Sequence, residues 1–195
     1  MVSRPKERIM DISPQDAEQS LAAIATANQE SQTRRGYRKA APYIIGWGVT
    51  WAIGYAGTSA LSPSQSNKLW LALILIMICF SGVIMRWQSG HKLGWGRLVL
   101  FTVAPSAALI LLVNLIVNVF DIHSATTIAA LFILIVAAAY AVTGLRYGRR
   151  YSQLGAVLAL LTILGLWLVP PPLKIIVLLV DAACLLLVGL WFRSA

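Results

Sequence analysis

Six runs of apolar residues divide the chain, at about 41–61, 68–86, 97–120, 125–145, 151–169 and 173–192. Each is close to the roughly 20 residues that a helix needs to cross about 30 Å of hydrocarbon. The connections between them, 62–67, 87–96, 121–124, 146–150 and 170–172, are short and polar or proline-rich. Links this short force neighbouring helices to run antiparallel. The pattern predicts an all-α fold, a six-transmembrane-helix bundle over 41–192, preceded by a polar arm over 1–40 with a short cytoplasmic helix at about 14–35.

Charge sets the orientation. Fourteen Lys and Arg fall on one side: those before the first span, then Arg86, Lys92 and Arg97, then Arg146, Arg149 and Arg150, and finally Arg193. The other side holds two, Lys68 and Lys174. The positive-inside rule makes the fourteen-charge side cytoplasmic, with both termini there. Tyr43, Trp70, Trp87, Trp95, Tyr147, Tyr151, Trp167 and Trp191 fall at or near the expected interfaces, as aromatic belts do.

Composition agrees with this reading and narrows it. Apolar residues make up 58% of the 195 and charged residues 12%, with mean hydropathy +0.76. A soluble domain of this size has no way to hide so much apolar surface, and a bilayer removes the need. The net charge of +9 invites a nucleic-acid reading, but the charges sit in topology-type clusters with no basic face of interleaved aromatics. No nucleic-acid partner is expected. Cys79 and Cys184 both lie inside apolar runs, without a CxxC spacing, and read as small apolar residues. The first apolar run begins near residue 41, after a long polar stretch, which is not the layout of a cleaved signal peptide.

In the arm, Ser13-Pro14-Gln15-Asp16 reads as a helix start, with Ser as cap, Pro at the first helical position and an acid behind it. Glu30 precedes Arg34 by four residues, the favourable order for a helical pair. The apolar stripe, Ala17, Leu21, Ile24 and Ala25, is too thin to anchor in a bilayer surface. It suits a solvated helix, or one that docks on a cytoplasmic protein or on a second copy of the chain.

Two features of the spans stand out. Gly46, Thr50, Gly54 and Thr58 recur every four residues, a small-residue ridge that marks a helix-packing or dimer face. Tyr43, Trp47, Trp51 and Tyr55 form a second stripe beside it, suited to bundle packing or to the aromatic wall of a ligand cavity. Asp181 is the one acid inside a span, about eight residues from the outer end of the last helix, or roughly 12 Å deep. Such a group normally faces the bundle interior. Asn114, Thr162 and Tyr55 lie at similar depths on their own spans, so Asp181, Asn114, Tyr55 and Thr162 form a candidate ligand or proton site. The plainer alternative is a neutral Asp181 hydrogen-bonded to Asn114 across a helix contact.

No catalytic residues are assigned. HExxH, GxSxG and GxxxxGK[ST] are all missing, and no second intramembrane acid pairs with Asp181. Asp121 and His123 in an outer loop are too few for a metal site, and His91 has no companion. No metal or cofactor is expected, and an enzyme is disfavoured.

The stretch Arg34-Arg35-Gly36-Tyr37-Arg38-Lys39, with Pro42-Tyr43, Trp47-Gly48-Val49-Thr50-Trp51 and Gly54-Tyr55, resembles a loose group of uncharacterised small multi-pass membrane proteins of bacteria. The resemblance is limited to about residues 15–60 and implies a bacterial inner-membrane location. It suggests a neighbouring winged-helix regulator, and carries no catalytic motif. Two functional readings follow: a non-enzymatic interaction, sensing or regulatory component, or a small six-helix transport or solute-capture component with an outward-facing polar pocket around Asp181. The second is similar in size and span count to energy-coupling substrate-capture subunits, from which the cytoplasmic arm departs.

Overall fold

A computed structural model describes residues 14–90, 94–170 and 173–194. Ser13 and His91 lie outside the described residues. The described residues form six helices in order: α1 Pro14–Ala60, α2 Pro63–Gln88, α3 Trp95–Val119, α4 Ala125–Tyr147, α5 Arg149–Leu168 and α6 Lys174–Arg193. The described residues contain no strand.

The arm and the first apolar run are not separate elements. They form one 47-residue helix that passes through Pro42. A proline inside a helix removes one backbone donor and crowds the carbonyl four residues back. That local loss is outweighed by packing on both sides of it, since Tyr37, Ala41 and Ile44 are all buried. Each remaining apolar run is a helix within a few residues of its expected limits.

Consecutive helices are neighbours, and the circuit closes through an extensive contact between α1 and α6. The α4–α5 pair is the second tight contact, while α3 touches α2 and α4 only lightly. Tyr37, Ile44, Trp51 and Tyr55 of α1 meet Ile133 of α4, Leu154 and Leu158 of α5, and Leu178, Leu185 and Phe192 of α6 in one core. Small residues allow these approaches. A methyl group added at Gly155 would run into the Ala137 carbonyl and the Ala141 backbone nitrogen of α4, so here the two helices touch backbone to backbone. Gly148, between α4 and α5, has φ +128°, a conformation that side chains rarely adopt, and a methyl there would strike the Tyr37 hydroxyl.

The outer surface is apolar. Leu145 and Trp167 are 86% exposed and Leu168 76%, with Leu75, Val83, Leu111, Leu115 and Leu187 also exposed. Soluble monomers rarely carry contiguous apolar surface on this scale. Among the described residues, five helices, α2 to α6, are long and apolar enough to cross a membrane. The protein is therefore a helical membrane protein. The apolar half of α1 is not among those five, because its glycines, threonines and aromatic rings lower its hydropathy while serving its packing.

Candidate functional site

Asp181 lies on the inner face of α6 with Val177, Leu178, Ala182 and Leu185, all buried, whereas Val180 is 46% exposed. The carboxyl is 0% exposed, so no water-sized space adjoins it. Its Oδ2 is 3.0 Å from Thr162 Oγ1 on α5, and the same hydroxyl is 2.8 Å from the Leu158 carbonyl one turn back. A hydroxyl has one proton, and both the carbonyl and a carboxylate can only accept. Both contacts are satisfied together when the acid is neutral and donates to Thr162 Oγ1, leaving that hydroxyl to donate to Leu158. Asp181 Oδ1 has no hydrogen-bond partner. Tyr55 of α1, 4% exposed, is near enough to interact electrostatically with the carboxyl, and its ring packs edge-on against Trp70 at 5.1 Å.

Two of the three expected companions of Asp181, Thr162 and Tyr55, are thus brought to it. Asn114 is not. It is exposed on α3, its amide donates to the Ile110 carbonyl at 2.8 Å, and Asn118 donates in turn to the Asn114 carbonyl at 2.7 Å. Equal depth placed Asn114 in the right layer but on a helix that does not pack against α6. The outward-facing polar pocket expected around Asp181 is also not seen, because the carboxyl is sealed by protein on every side.

The small-residue ridge of α1 packs against α2. A methyl at Gly54 would come within 2.5 Å of the Trp70 ring, and one at Gly46 within 2.7 Å of Met77. Thr50 is buried, and Thr58 Oγ1 accepts from Trp70 Nε1 at 3.0 Å and lies 3.0 Å from Ser66 Oγ. Gly46, Gly54 and Thr58 thus face α2, and Thr50 between them is buried. The adjoining aromatic stripe divides: Trp51 and Tyr55 enter the core, with Trp51 5.9 Å from Phe132, while Tyr43 and Trp47 line a cavity of about 220 Å³ with Met85, Phe101 and Pro105.

A third constellation lies at the other end of the bundle and was not anticipated. The Arg150 guanidinium stacks over Trp191 at 4.3 Å and over Tyr37 at 5.2 Å, and its Nη1 donates to the Trp191 carbonyl at 3.1 Å. The Arg150 backbone N–H donates to the Tyr37 hydroxyl at 3.3 Å. Tyr37, Tyr151 and Phe192 pack mutually at 4.9–5.4 Å. This staple ties the root of the arm to the start of α5 and the end of α6. The aromatic residues were visible in the sequence, but partners 41 and 113 residues apart were not.

Asp121 and His123 form a pair at 3.1 Å with both side chains more than 80% exposed, which suits a solvated turn. Among the described residues, no three His, Cys, Asp or Glu converge as metal ligands. No family model matches the chain, and neither a curated protein nor a solved structure matches it.

Proposed function

We propose that the protein is a six-span component of a bacterial inner membrane, with both termini cytoplasmic, that acts by presenting its arm to a protein partner. The sixth span is the apolar half of α1. It is packed lengthwise between α2 and α6, both apolar enough to cross a bilayer, and a helix flanked in that way shares their depth. The basic residues at the ends of α2, α4 and α6, at the starts of α3 and α5, and around Tyr37 lie at one end of the bundle, the cytoplasmic one by the positive-inside rule.

One observation carries the interaction reading. Residues 14–30 are helical and exposed throughout, with Leu21 68% and Ile24 61% exposed, and they continue without a break into a helix anchored in the core. A solvated, lever-like helix with an uncovered apolar stripe is suited to docking. A photo-crosslinker at Asn28, one turn beyond Ile24 on the stripe side, should give a discrete adduct with a second polypeptide in membranes. Leu21→Glu with Ile24→Glu should abolish it while leaving the membrane domain folded. Loss of folding, or an adduct that survives both changes, contradicts the reading, and an adduct of twice the chain's mass identifies a second copy as the partner.

A second reading, proton or solute transfer at Asp181, is favoured by its unpartnered Oδ1. It requires α5 and α6 to part, since the site is closed. Asp181→Asn that folds normally and retains the activity excludes it.

A further inference from the structure

At the root of the arm, an open groove of about 480 Å³ is lined by Glu30, Thr33, Arg34, Tyr37 and Arg150 among others. Its depth relative to the bilayer can be read from the helix ends. Tyr37 is level with the first turn of α5 and the last turn of α6, where the apolar runs stop. At 1.5 Å per residue, Arg34 lies about 4–5 Å further out and Glu30 about 10 Å further out. The headgroup layer on each side of a bilayer is roughly 5–8 Å thick. On the six-span reading, Arg34 and Arg150 fall in the layer of lipid phosphates, and Glu30 lies beyond it, exposed to solvent that screens its charge.

The groove is built to take an oxyanion. The Arg150 guanidinium is already fixed in plane by Trp191 and Tyr37, so little side-chain freedom is lost when its remaining N–H groups engage a ligand. Among the described residues neither Arg34 nor Arg150 forms an ion pair with a carboxylate. The Tyr37 hydroxyl accepts from the Arg150 backbone, which leaves its own proton to donate. Arg150 is also in the first turn of α5, whose cap Gly148 supplies no side-chain acceptor, so the helix dipole adds positive potential.

We propose that this groove binds the phosphodiester of a membrane glycerophospholipid, held between the guanidinium groups of Arg34 and Arg150 with the Tyr37 hydroxyl as a third donor. The acyl chains run down the exposed apolar flank of the bundle, and a bound lipid fixes the angle at which the arm leaves the membrane. Lipid binding at this groove rests on the six-span reading and not on what the arm docks on.

The test uses the full-length protein in a non-ionic detergent, titrated with phosphatidylglycerol and followed by native mass spectrometry, with diacylglycerol and inorganic phosphate as the other probes. One phosphatidylglycerol should be retained and diacylglycerol should not. Arg34→Gln should weaken retention about tenfold or more. Arg38→Gln removes the same charge from an exposed position outside the groove and should change it less than twofold. Arg150→Lys, which keeps the charge but loses the planar fork, should weaken it several-fold. Millimolar inorganic phosphate should leave the lipid in place. Equal losses in Arg34→Gln and Arg38→Gln would reduce the effect to diffuse surface charge, and no loss in either would remove the site. Displacement of the lipid by inorganic phosphate would overturn the lipid assignment in favour of a free anion. Arg34 is exposed and outside the staple, so the Arg34→Gln and Arg38→Gln pair decides the matter even if Arg150→Lys fails to fold.

Discussion

Replacing Asp181 with leucine should make the protein more stable. The two side chains are nearly isosteric, so the change swaps carboxyl oxygens for methyl groups in a site of 0% exposure. It removes Oδ1, which has no partner, and an unsatisfied buried polar atom costs roughly 1–3 kcal/mol. It also removes the hydrogen bond to Thr162, and such interhelical bonds average only about 0.6 kcal/mol in a membrane protein. Thr162 is not orphaned, because it still donates to Leu158. The balance is a gain of about 0.4–2.4 kcal/mol. Asp181→Asn, which can still donate to Thr162, should stay within about 1 kcal/mol of the parent. Thr162→Val strands the acid and should cost about 0.6–1.7 kcal/mol, a cost that vanishes in the Asp181→Leu background. Reversible unfolding of the purified protein in mixed micelles gives all four corners of this cycle. If Asp181→Leu destabilised the protein by more than about 1 kcal/mol, the enclosed and half-satisfied carboxyl described above would be the wrong picture. A stabilised Asp181→Leu protein that has lost its biological activity would show that the acid is kept at a cost to stability.

Three further outcomes follow from other contacts. Gly155→Leu should lower stability by at least about 1–3 kcal/mol in the same assay, since the colliding atoms are α4 backbone and have no rotamer to yield. Tyr37→Phe keeps the ring contacts but leaves the Arg150 backbone N–H without its acceptor, so a loss of about 0.5–1.5 kcal/mol and earlier proteolysis near residue 37 are expected. Trp191→Leu removes the closer of the two rings under Arg150 and should cost about 1–2 kcal/mol, whereas Trp167→Leu, 86% exposed on the lipid face, should cost less than about 0.5 kcal/mol.

The helical architecture was legible in the sequence because each apolar run is long, uninterrupted and bounded by polar links, so periodicity had little to decide. The junction between the arm helix, expected over about 14–35, and the first span, expected from about 41, is where the reading fell short: burial of Tyr37, Ala41 and Ile44 carries one helix through it. The ridge Gly46, Thr50, Gly54, Thr58 announced a close contact but not the partner, which is α2. For the polar site, depth along each helix was readable and azimuth was not. Thr162 bonds Asp181 and Tyr55 lies near it because α5 and α1 flank α6, and Asn114 does neither because α3 packs on α2 and α4 instead. The Arg150 staple joins residues far apart in sequence, and no local pattern encodes such a meeting.

If α1 crosses the membrane with the basic end of the bundle in the cytoplasm, the two ends of that crossing face different compartments. Single cysteines at Asn28, in the exposed arm, and at Ser64, at the exposed start of α2, stand on opposite sides of that crossing. With Cys79 and Cys184 replaced by alanine, intact cells are treated with a membrane-impermeant maleimide before and after lysis. The Ser64→Cys protein should label in intact cells, and the Asn28→Cys protein only after lysis. Labelling of both positions from the same side would mean that α1 does not cross, and labelling of Asn28→Cys alone in intact cells would invert the whole bundle.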